Sequence, residues 1–252
     1  FYQESGNAAG AAENAYILQH YADRAIPAFY LYDGWDALLS YDFSDLLILL
    51  LLILAVAPTF TRERENEMSL ILSSCKRGRW PLLFSKCGAG VIFAWILTIL
   101  FALSNLLVFG LLCGFEGWSS PLYAIESYQY TPFSGSILLF YGLMSGLKAI
   151  GFSVTALLLI FLSACFQKSL YPCLMGLGLG VALNYCTGWA LSPVWWKQAL
   201  SCISPFTLTS GSKLLESLSG VSIGGVYLLQ LLVVLIVQAV IACLLVIAIR
   251  RK

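Results

Sequence analysis

The chain has 252 residues, of which 60% are hydrophobic and 11% charged, with a formal net charge of +1 and a mean hydropathy of +0.85. Soluble domains carry about 25% charged residues, so this composition excludes an ordinary soluble domain and marks a membrane protein. A net charge near zero gives no footing for nucleic-acid binding.

Residues 1–44 come first. They begin with Phe1 and show no basic stretch followed by a small-residue cleavage site, so they do not read as a signal peptide. Residues 8–24 are Ala-rich, end before Ile26-Pro27 and predict a helix. The Tyr/Trp-rich stretch Phe29–Tyr41 suits a membrane–water interface, where amphipathic rings settle.

Five apolar runs follow, at 45–60, 88–113, 136–165, 170–191 and 224–249. A helix rises about 1.5 Å per residue and the hydrocarbon core is about 30 Å thick, so about 20 residues cross it. The first run is short and borrows from Leu38–Ser44 or from the charged segment behind it. The third is long and should tilt, kink or protrude. None of the runs alternates like a strand, which predicts an all-α polytopic protein with five visible transmembrane helices. Small-xxx-small pairs (Gly142/Gly146, Ser145/Ala149/Ser153, Gly110/Gly114) and Gly176-x-Gly178-x-Gly180 suit close helix contact.

Basic residues set the orientation. If each run crosses once, ten of the 14 Lys and Arg share one side: Arg62, Arg64, Lys76, Arg77, Arg79 and Lys86 in segment 61–87, Lys168 in the link 166–169, and the tail Arg250-Arg251-Lys252. Residues 1–45 hold seven carboxylates on the other side. The positive-inside rule then places segment 61–87 and the C-terminus in the cytoplasm of a cell-membrane protein. Residues 1–44, 114–135 and 192–223 face outward, the first as the end of an outer loop or small outer domain, and residues 45–252 form the transmembrane domain. A chain that starts outside without a signal peptide predicts one more helix upstream of Phe1, six in the native protein. Trp118, Tyr123, Tyr128, Tyr130 and Trp195-Trp196 in the outer loops read as belt anchors, or alternatively as contacts to an amphipathic substrate.

The charged segment is the most informative stretch. Met68, Ile71, Leu72 and Cys75 recur at helical spacing, with Arg64, Glu65 and Ser69 elsewhere around the wheel. Lys76-Arg77-Gly78-Arg79 reads as a basic turn, and Pro81 opens a short segment ending at Lys86 before the second span. An interfacial helix on acidic lipid is one reading. The interspersed Glu63, Glu65 and Glu67 favour a partner protein, because acidic lipid would repel them.

The order of these features resembles the permease subunits of type-2 ATP-binding-cassette exporters. An apolar span leads into Ala57-Pro58-Thr59-Phe60, then Arg64-Glu65-Asn66-Glu67-Met68, Leu70-Ile71-Leu72-Ser73-Ser74, the Gly78-Arg79 turn, Lys86 and another span. The likeness is motif-level over residues 45–110 and extends beyond only in the number, order and length of spans. Met68 stands where members often have Gly. The resemblance implies a cytoplasmic coupling helix that inserts into a cleft of a separate nucleotide-binding subunit. Glu63, Glu65 and Glu67 would meet basic groups there, Met68, Ile71 and Leu72 would fill the cleft, and Arg77 and Arg79 would flank it. It also implies a second permease, identical or related, and ATP with Mg held by the partner subunit. No cofactor, catalytic residue or metal site is expected in the chain itself. Ser210-Gly211-Ser212-Lys213 lacks the upstream glycine of a phosphate-binding loop.

Lys148 lies inside the third run. An ammonium there costs about 2.5–3.5 kcal/mol on insertion scales, so it should snorkel, pair or face a cavity on the substrate pathway. Interior acids are absent from the predicted spans, with Glu126 the nearest outside. The eight cysteines show no metal-ligand spacing. Cys186 and Cys202 would both fall near one membrane face, where they could pair. Two other functions compete with an exporter of peptides or drug-like amphiphiles. A non-transporting scaffold or sensor would recruit a different partner through segment 61–87. An intramembrane hydrolase would need His or paired acids within the spans, whereas the sole histidine, His20, is outside.

Overall fold

The computed structural model describes residues 33–67, 79–114, 116–128, 131, 133, 135–189, 195–210, 220–223 and 226–251. The helix predicted over 8–24, Tyr130, and Met68, Ile71, Leu72 and Arg77 lie outside the described residues. In chain order the helices are α1 (Asp33–Leu39), α2 (Phe43–Val56), α3 (Thr61–Glu65), α4 (Arg79–Cys113), α5 (Ile137–Cys165), α6 (Leu170–Thr187), α7 (Trp195–Ile203), α8 (Phe206–Thr209) and α9 (Gln230–Arg251). Among the described residues, five stretches are long and apolar enough to cross a membrane: Asp33–Glu65, Pro81–Cys113, Ile137–Cys165, Leu170–Thr187 and Leu231–Ile249.

The central helix is α5, whose most apolar window is two-thirds buried (67%), whereas that of α4 is 6% buried. A helix that is hydrophobic on every side belongs in the middle of a bundle, and α5 buries Phe140, Met144, Phe152, Leu159 and Ile160 around its circumference. Two apolar clusters share it. At one end Trp35, Leu38, Leu122, Tyr128, Phe140, Leu208 and Val234 pack together. At the other, Ile48, Leu52, Val56, Cys87, Phe152, Ile160 and Ile249 do. By contrast α4 presents Ile92, Ile96, Ile99, Leu103 and Leu107 outward, a surface suited to lipid or to another membrane chain.

Several sequence expectations are corrected. Helix α4 starts at Arg79 and absorbs Pro81 and Lys86 into one 35-residue helix, because proline is tolerated in a first helical turn. At about 1.5 Å per residue it is about 52 Å long and exceeds the hydrocarbon core. The run 224–249 is not helical throughout. Strands β1 (Gly220–Ile223) and β2 (Val226–Leu229) form an antiparallel hairpin, paired from Gly220↔Leu229 to Ile223↔Val226, directly before α9. Trp35 and Tyr128 are buried rather than belt residues; the Trp35 indole N–H donates to the Glu116 carbonyl at 2.9 Å. Cys186 and Cys202 are both free thiols. Gly142 and Gly146 have open space where a Cβ would stand, whereas a Cβ on Gly180 would come within 3.0 Å of Leu49. A Cβ on Gly176 would come within 2.5 Å of Leu159, and one on Gly90 within 2.8 Å of Ile160, so the close approaches are those of α6 to α2 and α5 and of α4 to α5.

One loop segment folds back into the bundle. Residues 204–209 are all buried, and a Cβ on Gly151, midway along α5, would meet the Pro205 carbonyl oxygen at 2.7 Å. Irregular backbone at that depth must have its polar groups satisfied by protein. Ser204 donates to the Leu183 carbonyl at 2.8 Å, and the Gln238 amide donates to the Cys202 and Ile203 carbonyls at 2.9 and 3.1 Å.

Candidate functional site

The chain leaves α2 through Ala57 and Pro58 and turns at once into α3, five residues of sequence Thr-Arg-Glu-Arg-Glu. So short a helix has no stability of its own, since isolated helices need about 12–15 residues. Side chains from three neighbouring elements hold it. The Ser163 hydroxyl of α5 accepts from the Phe60 and Thr61 amides at 2.9 and 3.4 Å, which satisfies two of the donors a helix start leaves open. Lys86 of α4 pairs with Glu63 and sits 3.9 Å from the centre of the Phe60 ring.

The adjacent Arg64 and Glu65 clamp the tight link between α5 and α6. The Arg64 guanidinium donates to the Phe166 and Ala164 carbonyls, both at 2.9 Å, at the C-terminus of α5. The Glu65 carboxylate accepts from the Ser169 amide at 2.7 Å and from its hydroxyl at 3.1 Å, at the N-terminus of α6. A cation on helix carbonyls and an anion on helix amides are the favourable pairings with the two dipoles, typically 0.3–1 kcal/mol each at exposed sites. One charged turn therefore ties α2 to α4, α5 and α6.

This geometry changes how the three glutamates read. Glu63 and Glu65 are engaged within the chain. Glu67 is exposed and adopts φ 55°, a left-handed conformation that redirects the chain just before residue 68. Arg79 marks the point where the chain re-enters a helix as the first residue of α4.

Lys148 does find a carboxylate. Its Nζ lies 2.8 Å from Oδ2 of Asp45, with side-chain exposures of 21% and 14%. Asp45 stands in the first turn of α2, at the mouth of the first apolar run, and was missed because sequence placed it at a span boundary. The pair borders a cavity of about 30 Å³ lined by Ser44, Thr98, Asn105, Tyr141 and Ser145. That is room for one or two waters, too small for an amphiphile. Around it Asn105 donates to the Ser44 hydroxyl at 3.0 Å and Tyr141 to the Ala102 carbonyl at 2.7 Å, so α2, α4 and α5 meet through polar groups at this level. Lys148 acts here as a fastener between α2 and α5.

No family model, curated protein or solved structure matches the chain.

Proposed function

We propose that this chain is the permease subunit of an ATP-binding-cassette exporter, moving an amphipathic or hydrophobic substrate with ATP hydrolysed, with Mg, in a separate nucleotide-binding subunit. The observation that carries the reading is the α3 clamp. A five-residue charged helix is bonded to the ends of four long helices, so a displacement applied there moves α2, α4, α5 and α6 together. Segment 68–78, with its Met68, Ile71 and Leu72 stripe, is carried between α3 and α4, where a partner's push would reach both. Coupling of this kind needs a stiff connection between the docking element and the helices. Basic residues concentrated at the clamp end support a cytoplasmic position for it in the cell membrane. The outward apolar face of α4 supports pairing with a second permease within the bilayer.

Within this mechanism Glu63 and Glu65 hold the docking element, while Glu67, Met68, Ile71, Leu72, Arg77 and Arg79 meet the ATPase. Lys148 keeps α2 in register with α5 at a distance from the partner. The test is co-purification from native membranes. The wild-type chain should bring down a polypeptide with a phosphate-binding loop, and the variant with Met68, Ile71 and Leu72 all changed to Asp should insert normally and lose it. A partner without ATPase motifs would favour the scaffold reading instead.

A further inference from the structure

Helix α6 begins at the α3 clamp, where Glu65 accepts from Ser169, so its C-terminus points to the opposite face of the bundle. An aromatic cluster gathers there. The ring centres of Tyr185 and Trp189 lie 5.6 Å apart and those of Trp189 and Trp196 6.0 Å apart, both pairs edge to face. The Lys197 ammonium sits over two of these rings, 5.8 Å from the centre of Trp189 and 5.5 Å from that of Trp196. Among the described residues no carboxylate forms an ion pair with it, and it is the only charged residue between Lys168 and Lys213. From the cluster an apolar stripe runs back along α6, through the exposed Tyr185, Val181, Leu177 and Leu174. Their spacing puts all four on one side of the helix. At about 1.5 Å per residue the stripe spans about 16 Å, close to half of the hydrocarbon thickness of about 30 Å and so one leaflet deep.

We infer that this face of α6 binds one phospholipid whose head group carries net negative charge, its phosphate on Lys197 and an acyl chain along the stripe. Length sets the chain, because the stripe is as deep as one leaflet and ends where its head groups begin. Charge sets the head. The two indole faces hold the Lys197 ammonium by cation–π attraction, and its N–H donors remain to meet a phosphate oxygen as a point charge. Indole rings and a lysine at the end of a spanning helix belong at head-group level. A zwitterionic head would bring a second cation beside Lys197, onto rings that the lysine already covers, and like charges repel. A head without its own ammonium meets no such opposition. The inference owes nothing to the exporter reading, because binding a lipid requires no ATPase.

The experiment uses the full 252-residue chain in phosphatidylcholine nanodiscs doped with a lipid probe that carries a diazirine in its acyl chain. The probe is phosphatidylglycerol in one arm and phosphatidylcholine in the other, at equal mole fraction, and adducts are mapped by peptic digestion and mass spectrometry. Adducts within Leu174–Tyr185 should be about fivefold more abundant with phosphatidylglycerol, the preference expected of one lysine near an anionic head group. Lys197→Gln should bring the ratio close to one, and Lys197→Arg should keep it. Lys168→Gln, at the other end of α6, should leave it unchanged. Equal labelling by the two probes in the wild-type chain overturns the inference, as does a phosphatidylglycerol preference that survives Lys197→Gln. The absence of adducts on the stripe also overturns it, since protein rather than lipid would then cover this face.

Discussion

Removing one member of the Asp45–Lys148 pair should destabilise the bundle far more than removing both. At 2.8 Å and an effective dielectric of about 20, the gross attraction is about 6 kcal/mol. Desolvation of two ions offsets much of it. Asp45→Asn leaves an ammonium at a position that insertion scales put at about 2.5–3.5 kcal/mol, and the residual exposure of both side chains keeps the loss near the lower part of the 3–5 kcal/mol seen for broken buried pairs. We expect about 3 kcal/mol for Asp45→Asn. Lys148→Met strands the carboxylate and should cost a similar amount. The double variant Asp45→Asn/Lys148→Met should return to within about 1 kcal/mol of wild type, because no uncompensated charge remains. The assay is reversible unfolding in lipid–SDS mixed micelles followed by far-ultraviolet circular dichroism, read as a double-mutant cycle. Single variants costing less than about 0.5 kcal/mol each, with additive effects, would refute the fastening role.

Four further outcomes follow from named contacts. Ser163→Ala removes the acceptor for the Phe60 and Thr61 amides; it should lower stability by about 1–3 kcal/mol and expose the Phe60–Arg64 region to limited proteolysis. On the exporter reading proposed above, Arg64→Ala and Glu65→Ala should each uncouple ATP hydrolysis from transport more than they weaken co-purification of the ATPase, since both side chains bond within the chain. Gly151→Val should displace the folded-back segment, because its Cβ would meet the Pro205 carbonyl oxygen at 2.7 Å; thermal aggregation of the detergent-solubilised protein should begin several degrees lower. Burial raises the Cys202 thiol above its ordinary pKa, against a smaller lowering from the Ser201 side chain. A raised thiol pKa means less thiolate at a given pH, so maleimide labelling of Cys202 should lag behind that of the exposed Cys165 at pH 8, and the gap should narrow as pH rises toward 10.

The helical framework was legible because hydrocarbon thickness imposes its own length on the sequence: the third run, 136–165, became α5 at Ile137–Cys165 almost residue for residue. Boundaries at polar residues were less so. Arg79-Trp80-Pro81 reads as a turn when proline is taken as a breaker, yet a first-turn proline loses no bond and α4 simply begins there. Val226–Leu229 reads as helix by hydropathy, yet it pairs locally with Gly220–Ile223, and the intervening Gly224-Gly225 is a hairpin signal that hydropathy alone passes over. Distance in sequence hid the Asp45–Lys148 contact, whose partners are 103 residues apart. For the charged segment, sequence identified the stretch, while the family resemblance assigned all three glutamates to a partner. Glu63 and Glu65 instead bond within the chain, because only the folded bundle brings Lys86 of α4 and Ser169 at the start of α6 to them. The Ser/Thr/Pro composition of residues 204–209 reads as surface loop, whereas local hydrogen bonds and the space left by Gly151 allow the bundle to bury it.

The central claim is that the turn joining α2 to α4 meets a cytoplasmic ATPase. A photocrosslinking amino acid placed at Glu67, which is exposed and immediately precedes the apolar stripe, tests it directly in intact cells. The account predicts one dominant adduct, to a polypeptide that carries a phosphate-binding loop. Adducts to lipid alone, or modification of this position by a membrane-impermeant reagent added outside the cell, would contradict it.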